Sequence, residues 1–287
     1  MENAVQRFLL DDLDIRGAVV RLGSIWQQLL TNRDYPGPVI ILLGEMTATA
    51  LLLTDNLKQA GRVTVQLRGD GPVSLLVIDC NDALNTRCMA QHADEVPDAP
   101  PLALLGQGQL LLSLEFPSMR QPYQSVVPMV GNNIAEVFEH YLMQSEQITT
   151  RFFLAATESG IAGLFLQKMP STDQRDPDGW RRIETLAATA KPEELIGLSP
   201  ESLLARIFHE EAVRVFNPRA VTNNCPEDRE KIGNMLRTLG REEIYGVLDE
   251  RGAIVIRDDL ANREYRFDRA AIDELFRDMP ETPPTVH

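Results

Sequence analysis

Two β-rich runs in the segment from Val63 to Asp79, VTVQLRGDGPVSLLVID, flank Gly69-Asp70-Gly71-Pro72. Glycine supplies the positive φ that tight turns demand, so the segment reads as a β-hairpin. A hairpin fixes antiparallel pairing at this point and argues against a chain of regularly alternating βαβ units.

The surroundings of the hairpin fit an α+β fold. Ile15–Leu22 alternates weakly and reads as a strand, and Ser24–Thr31 as a short helix. Pro38–Leu57 is mostly apolar and rich in Ala and Leu, which predicts a buried helix whose start is marked by Pro36 and Pro38. Further strands are expected at Leu110–Phe116, Ser125–Val130, Thr150–Ala156 and Ile161–Gln167, with a helix at Asn133–Gln144 between them. The composition changes at Met169, where PSTDQRDPDGW reads as a linker or a long surface loop. Helices follow at Trp180–Ala190, Pro192–Gly197 and Pro200–His209, the last opened by Ser199 as N-cap with Pro200 at the first helical position.

From Val213 onward a small terminal unit is expected. It comprises a helix over Pro226–Leu239 closed by Gly240, a second helix or a helical turn over Arg241–Leu248, strands at Ala253–Ile256 and Glu264–Phe267, and a last helix, Arg269–Arg277, capped by Asp268. A unit of this size with so few large apolar side chains is marginal on its own.

Composition narrows the function. The 287 residues are 44% hydrophobic and 24% charged, which is ordinary globular composition for one or two domains. A formal net charge of −14 disfavours nucleic acid and anionic membrane surfaces as partners, since both need clustered Lys and Arg. The cysteines are only three, Cys80, Cys88 and Cys225, with no regular spacing; this is no disulfide framework and points to a reducing, cytoplasmic setting. The N-terminal segment MENAVQRFLLDDLDIRG carries acids where a secretory leader carries bases, and the longest apolar runs, Val39–Leu43 and Phe152–Ala156, are too short to cross a bilayer.

Several long runs, in order along the chain, carry a resemblance: FLLDDLDIRG, VTVQLRGDGPVSLLVI, YLMQSEQITTRFFL, IFHEEAVRVFNP and YRFDRAAIDELF. On these the chain resembles the redox-regulated 33 kDa heat-shock chaperonin family over essentially its whole length. The resemblance implies a chaperone core domain at 1–170, a helical linker at 171–215 and a C-terminal redox-switch domain at 216–287. In that family four cysteines, as C-x-C and C-x-x-C, hold one zinc ion. Oxidation forms two disulfides, expels the metal and loosens linker and switch, exposing surface for unfolding clients. Activated members dimerise and need no ATP.

The switch departs from that pattern here. The four positions fall on Cys225, Glu227, Asp258 and Ala261, so three of the four thiols are absent. Structural zinc takes four ligands, usually thiolates or imidazoles, so no metal and no cofactor is expected. Metal binding supplies about 10 kcal/mol or more to folding in such sites. Its loss leaves ion pairs (Glu227 with Arg229 or Lys231, Asp258 with Arg257 or Arg263), worth about 0–1 kcal/mol each. It also leaves apolar packing by Ile232, Met235, Leu236, Leu239, Ile254, Ile256, Tyr265, Phe267, Ile272 and Leu275, which would have to dominate.

Other signals are weak. Cys225 lies near a predicted helix N-terminus, but Glu227 and Asp228 oppose a thiolate, and no resolving thiol is near in sequence. Cys80 and Cys88 read as buried small residues or incidental loop thiols. Cys88 with His92 lacks a third orienting group, and His209-Glu210-Glu211 lacks the second histidine of a metal box. Ser145-Glu146-Gln147 reads as capping and turn chemistry or as a packing contact against the linker, and Trp180 as an anchor of the linker on the core or as one member of a helix face.

The expectation is therefore not an enzyme. It is an ATP-independent holdase for unfolding proteins, free of the usual zinc–disulfide control and capable of forming a homodimer when active. The alternative is a regulatory or scaffold protein that keeps the fold. No individual client-binding residue follows from the sequence, because such binding is diffuse and apolar.

Overall fold

Gly37–Asp55 forms a helix of 19 residues, α2, that is apolar around its whole circumference. Such a helix must be covered on every side. Val39, Leu42, Leu43, Met46, Ala50 and Leu51 are all fully buried. The hydroxyls of Thr47 and Thr54 donate back to the carbonyls of Leu43 and Ala50, 2.7 Å each, so its buried polar side chains are paired. Length and composition alone would let α2 cross a membrane, a possibility that the shorter run Val39–Leu43 does not raise; 72% of its most apolar window is buried inside the protein, as a core helix.

Two sheets supply the cover in this computed structural model, which describes residues 2–224, 227 and 229–277. The first contains β1 (Ala4–Leu10), β2 (Ile15–Leu22), β8 (Thr150–Ala156) and β9 (Ile161–Lys168) in the order β1-β2-β9-β8. Along the outer side of β1 run two short strands, β10 (Val213–Val215) and β11 (Arg219–Ala220). The second sheet contains β3 (Arg62–Arg68), β4 (Val73–Asn81), β5 (Thr86–His92), β6 (Gln109–Glu115) and β7 (Tyr123–Val127) in the order β5-β4-β3-β6-β7. Neighbouring strands within each sheet pair antiparallel. One cluster joins Val20 and Phe165 of the first sheet, α2, and Val65, Ile78 and Leu112 of the second. Helix α1 (Ser24–Leu30) and helix α3 (Ile134–Glu146), capped by Asn133, complete this layer.

The predicted hairpin is β3–β4, but its glycines serve a different end. Neither Gly69 nor Gly71 has positive φ. A Cβ at Gly69 would stand 2.2 Å from the Leu105 carbonyl oxygen, and one at Gly71 2.6 Å from that of Leu104. The turn needs glycine because the 3-10 helix Pro101–Leu105 lies against it.

The far face of the first sheet carries a helical layer: α4 (Thr172–Arg175), α5 (Gly179–Ala187), α6 (Pro192–Gly197) and α7 (Pro200–Ile207). Trp180, Ile183, Leu195, Leu203 and Leu204 bury against Phe8, Ile15, Val19 and Leu164, so Trp180 does anchor this stretch on the sheet. Ser199 caps α7 by accepting from Ser202 N at 3.2 Å. The segment after Met169, expected as a linker or surface loop, is tied down. Thr172 is fully buried and donates to the Asp14 carbonyl at 2.9 Å, Met169 N donates to the same oxygen, Ser171 donates to the Asp14 carboxylate, and Arg175 donates to the Asp11 carbonyl.

The chain divides into two compact units, Met1–Asn224 and Cys225–His287. The first unit reaches Asn224 because β10 and β11 pair with β1 and Asn224 is bonded to Asn85 in both directions. The second unit contains α8 (Arg229–Leu239), α9 (Arg241–Arg251), a hairpin of β12 (Ile254–Asp258) and β13 (Arg263–Phe267), and α10 (Arg269–Leu275), capped by Asp268. The secondary structure is the expected α+β mixture of a sheet-and-helix core, a helical layer and a small α+β terminal unit.

One acid stands against the burial of α2. Glu45 has its carboxyl pushed up to about 7 by burial. Its pKa is higher folded than unfolded, so between about pH 4.5 and 7 the native state holds a proton that the unfolded chain releases, and stability falls as pH rises through this range. Glu45→Gln should therefore stabilise by about 2–3 kcal/mol near pH 8 and scarcely at all below about pH 4.5. Urea unfolding at both pH values checks this.

Candidate functional site

The hairpin β12–β13 brings two of the four expected switch positions together. Asp258 ends β12 opposite Arg263, and Ala261 lies in the connecting turn. The Asp258 carboxylate accepts a hydrogen bond from Ala261 N at 2.9 Å. Asp side chains characteristically close turns in this way, by taking the place of a backbone acceptor. Glu227 is exposed, whereas Cys225 and its neighbour Asp228 lie outside the described residues. The expected ion pair of Asp258 with Arg257 is not formed: Arg257 Nε pairs with Asp259 at 3.1 Å. Arg229 donates to the Arg266 carbonyl at 3.1 Å and lies over the Phe267 ring at 4.7 Å.

These residues do not fit a structural zinc ion. Ala261 has no ligating atom, and the Asp258 oxygen nearest the turn is committed to a backbone N–H. Among the described residues no group of three His, Cys, Asp or Glu side chains is placed to hold a metal.

The terminal unit is instead organised by an apolar core of its own. Leu236, Ile254, Tyr265, Phe267 and Ile272 are buried, with Ile232, Ile256 and Leu275 packed against them. Each such side chain is worth about 1.5–3 kcal/mol when fully buried, well above an exposed ion pair. Met235 and Leu239, expected in this core, are instead 44% and 50% exposed. Met235 falls beside the buried stripe of α8, and Leu239 sits on its last turn. Ile244 and Leu248 of α9 and Phe276 at the end of α10 take the vacant share; the first two escaped sequence reading because α9 shows only a weak apolar face. Arg237 and Arg241 also donate to the carbonyls of Leu275 and Phe276, at 3.0 and 3.4 Å, where the helix dipole of α10 ends negative.

The two described thiols are free and sealed in the first unit. Cys80 on β4 and Cys88 on β5 point towards α2, and burial pushes them up to about 12 and about 11. Cys80 stands opposite Thr86, and Cys88 opposite Ile78, so the pair is diagonal and outside bonding reach. A nucleophile–base pair of Cys88 with His92 is ruled out by extension: four residues along a strand separate them by about 13 Å. His92 Nδ1 instead lies 2.7 Å from the Ala93 carbonyl. His209 is exposed beside Glu210, while Glu211 accepts from Arg182 at 2.8 Å. Ser145 donates to the Tyr141 carbonyl at 2.8 Å, and Gln147 ends α3 in the left-handed region, as capping and turn chemistry requires.

A cluster that no local sequence signal marked holds the strap formed by β10 and β11. Asp55, 2% exposed at the end of α2, accepts from Arg7 Nε at 2.7 Å and from Arg219 Nη1 at 2.6 Å. Arg219 also donates to the Asp82 carbonyl, and Thr86 N donates to Thr222 O at 2.8 Å.

The described residues follow a known architecture. The crystal structure of a 33 kDa chaperonin (heat shock protein 33 homolog) from Thermotoga maritima matches with a TM-score of 0.81 at 22% identity, covering 96% of this chain and 98% of that one. Two α+β units of this design are thus the class of fold in hand. The sequence model described as "Hsp33 protein" matches residues 3–268, and this chain belongs to the Hsp33 family. It is 40% identical over 275 residues to the 33 kDa chaperonin of Chromobacterium violaceum, covering 95% of this chain and 93% of that protein. Against the 33 kDa chaperonin of Shewanella loihica it is 37% identical over 281 residues, covering 98% of each. The family is one of chaperones and not of enzymes.

Two substitutions test these contacts. Asp258→Ala should lower the stability of the terminal unit by about 1 kcal/mol, through loss of one turn hydrogen bond. Faster proteolysis between Asp258 and Arg263, compared with wild type, reads this out. Asp55→Ala removes a buried acceptor shared by two guanidinium groups and should cost the first unit about 2–3 kcal/mol, measured as a drop in its urea midpoint.

Proposed function

We propose that this chain is an ATP-independent holdase whose client binding is not governed by zinc release and disulfide formation. The observation that carries this reading is the hydrogen bond from Ala261 N to the Asp258 carboxylate. It closes, by a protein–protein contact, the turn at which the family resemblance calls for two thiolates. The apolar core around Leu236 and Phe267 supports the same reading, since it gives the terminal unit a source of stability that no oxidant removes. In this proposal residues 1–170 act as the chaperone core, 171–215 as the helical linker and 216–287 as the degenerate switch, with Cys225, Glu227, Asp258 and Ala261 as its former ligand positions. The partners are unfolded or partly folded proteins in the cytoplasm, met by apolar surface on core and linker, and the active form is a homodimer.

A second reading has one observation in its favour. The closed core of the terminal unit is also what a rigid regulatory or scaffold protein would carry, with no surface released on demand.

The decisive measurement is light scattering of heat-aggregating luciferase with the reduced, metal-free protein and no nucleotide. The expected result is suppression of aggregation that hydrogen peroxide does not increase. Suppression only after oxidation overturns the switch-free reading. No suppression in either state leaves the scaffold reading standing.

A further inference from the structure

The five-stranded sheet is covered by α2 on one face. On the other, register aligns Met89, Val77, Gln66, Leu111 and Val126 in one row across all five strands. The row ends on the edge strand β7, where Val126 is 55% exposed, and Tyr123 on the same strand is 51% exposed.

Edge strands offer unpaired N–H and C=O groups and are usually blunted by charge, brevity or a cover. The other edges in this unit are managed so. On β8, Phe152 N donates to the Glu139 carboxylate at 2.8 Å, and Arg151 is ion-paired to Glu139 and Glu184. The start of β5 is bridged by Thr222, and β10 spans only three residues with Arg214 among them. For β7, no hydrogen bond to its outer side is found among the described residues. No Asp, Glu, Lys or Arg occurs between Arg120 and Glu136, in a chain that is 24% charged.

We propose that β7 is a capture edge for a short, extended, uncharged segment of an unfolding polypeptide, added as a sixth strand. The proposal rests on the holdase reading and names a site for it. Main-chain hydrogen bonds to an edge are independent of the partner's sequence, as capture of many clients requires. Side chains of the added strand pointing to the open face would extend the apolar pair Leu111 and Val126 at the end of that row. A second copy of this chain fits less well. Pro122 and Pro128 bracket a strand of five residues. Pairing over that length buries far less than the roughly 1,200 Å² of a stable interface. The same brevity suits weak, reversible capture.

The test uses the full chain and two variants: Tyr123→Lys with Val126→Lys as a double variant, and Ile41→Lys, at an exposed position on α2, as control. With luciferase as client, the double variant should need roughly 3–10-fold more protein for half-suppression, and the control no more than wild type. Permanently unfolded, carboxymethylated α-lactalbumin should slow amide exchange at residues 123–127 of the wild type. An active wild type matched by a correctly folded double variant overturns the capture edge while leaving the holdase reading intact. An inactive wild type overturns the holdase reading, and exchange at 123–127 unaffected by α-lactalbumin overturns the edge. Protection that rises with protein concentration alone assigns the edge to a second copy and overturns the proposal. If the double variant fails to fold, the exchange measurement on wild type decides.

Discussion

The burial of α2 is the constraint on which the first unit depends. A helix that is apolar on every side cannot rest on one sheet with its back to water, so two sheets must close over it. That demand sets the layer order of helices, sheet, α2 and sheet. It seals Cys80 and Cys88 among apolar side chains, where burial keeps them protonated and inert. It also fixes where Asp55 ends up: the end of α2 meets β1, and the carboxylate there gathers Arg7 and Arg219.

The terminal unit solves a different problem with different means. A small domain buries too little surface to be robust, which is why metals and disulfides are common staples in such units. Here, packing around Leu236, Phe267 and Phe276 and carbonyl caps from Arg237 and Arg241 do the holding, and Asp258 closes the turn with an oxygen. A carboxylate accepting one N–H stabilises far less than a metal cage, but it responds to neither oxidant nor chelator. The contrast between the two units is one of chemistry at the sulfur positions: thiols in the first are hidden, and Glu227, Asp258 and Ala261 stand where the resemblance calls for thiols in the second.

The two faces of the five-stranded sheet differ in what they meet. The inner face is consumed by α2, which fixes the sheet. The outer face carries the Asp79 ion pairs with Arg62 and Arg87 and, towards β7, the apolar side chains Leu111 and Val126 at an uncharged edge. Elsewhere in the same unit, exposed edges are met by Glu139, Thr222 or a charged residue, so the openness of β7 is local rather than general.

Much of the local structure was written in short-range patterns. The β3–β4 hairpin, α2, the Ser199 cap of α7 and the Asp268 cap of α10 depend on neighbours a few residues apart, and the sequence by itself determined them. It likewise determined the family, through long matching runs. Strand β1 escaped notice because AVQRFLL puts Gln6 on its buried face and so shows no clean alternation, and β5, TRCMAQH, carries few β-branched or aromatic residues. What only the tertiary structure decided are the contacts made at long range. Asp55 meets Arg219 across 164 positions, Gly69 makes room for the Leu105 carbonyl, Met235 is exposed while Phe276 is buried, and β7 lies at an edge. Propensity and pattern act within a few residues, whereas pairing order and packing are settled only when distant segments compete for the same surface.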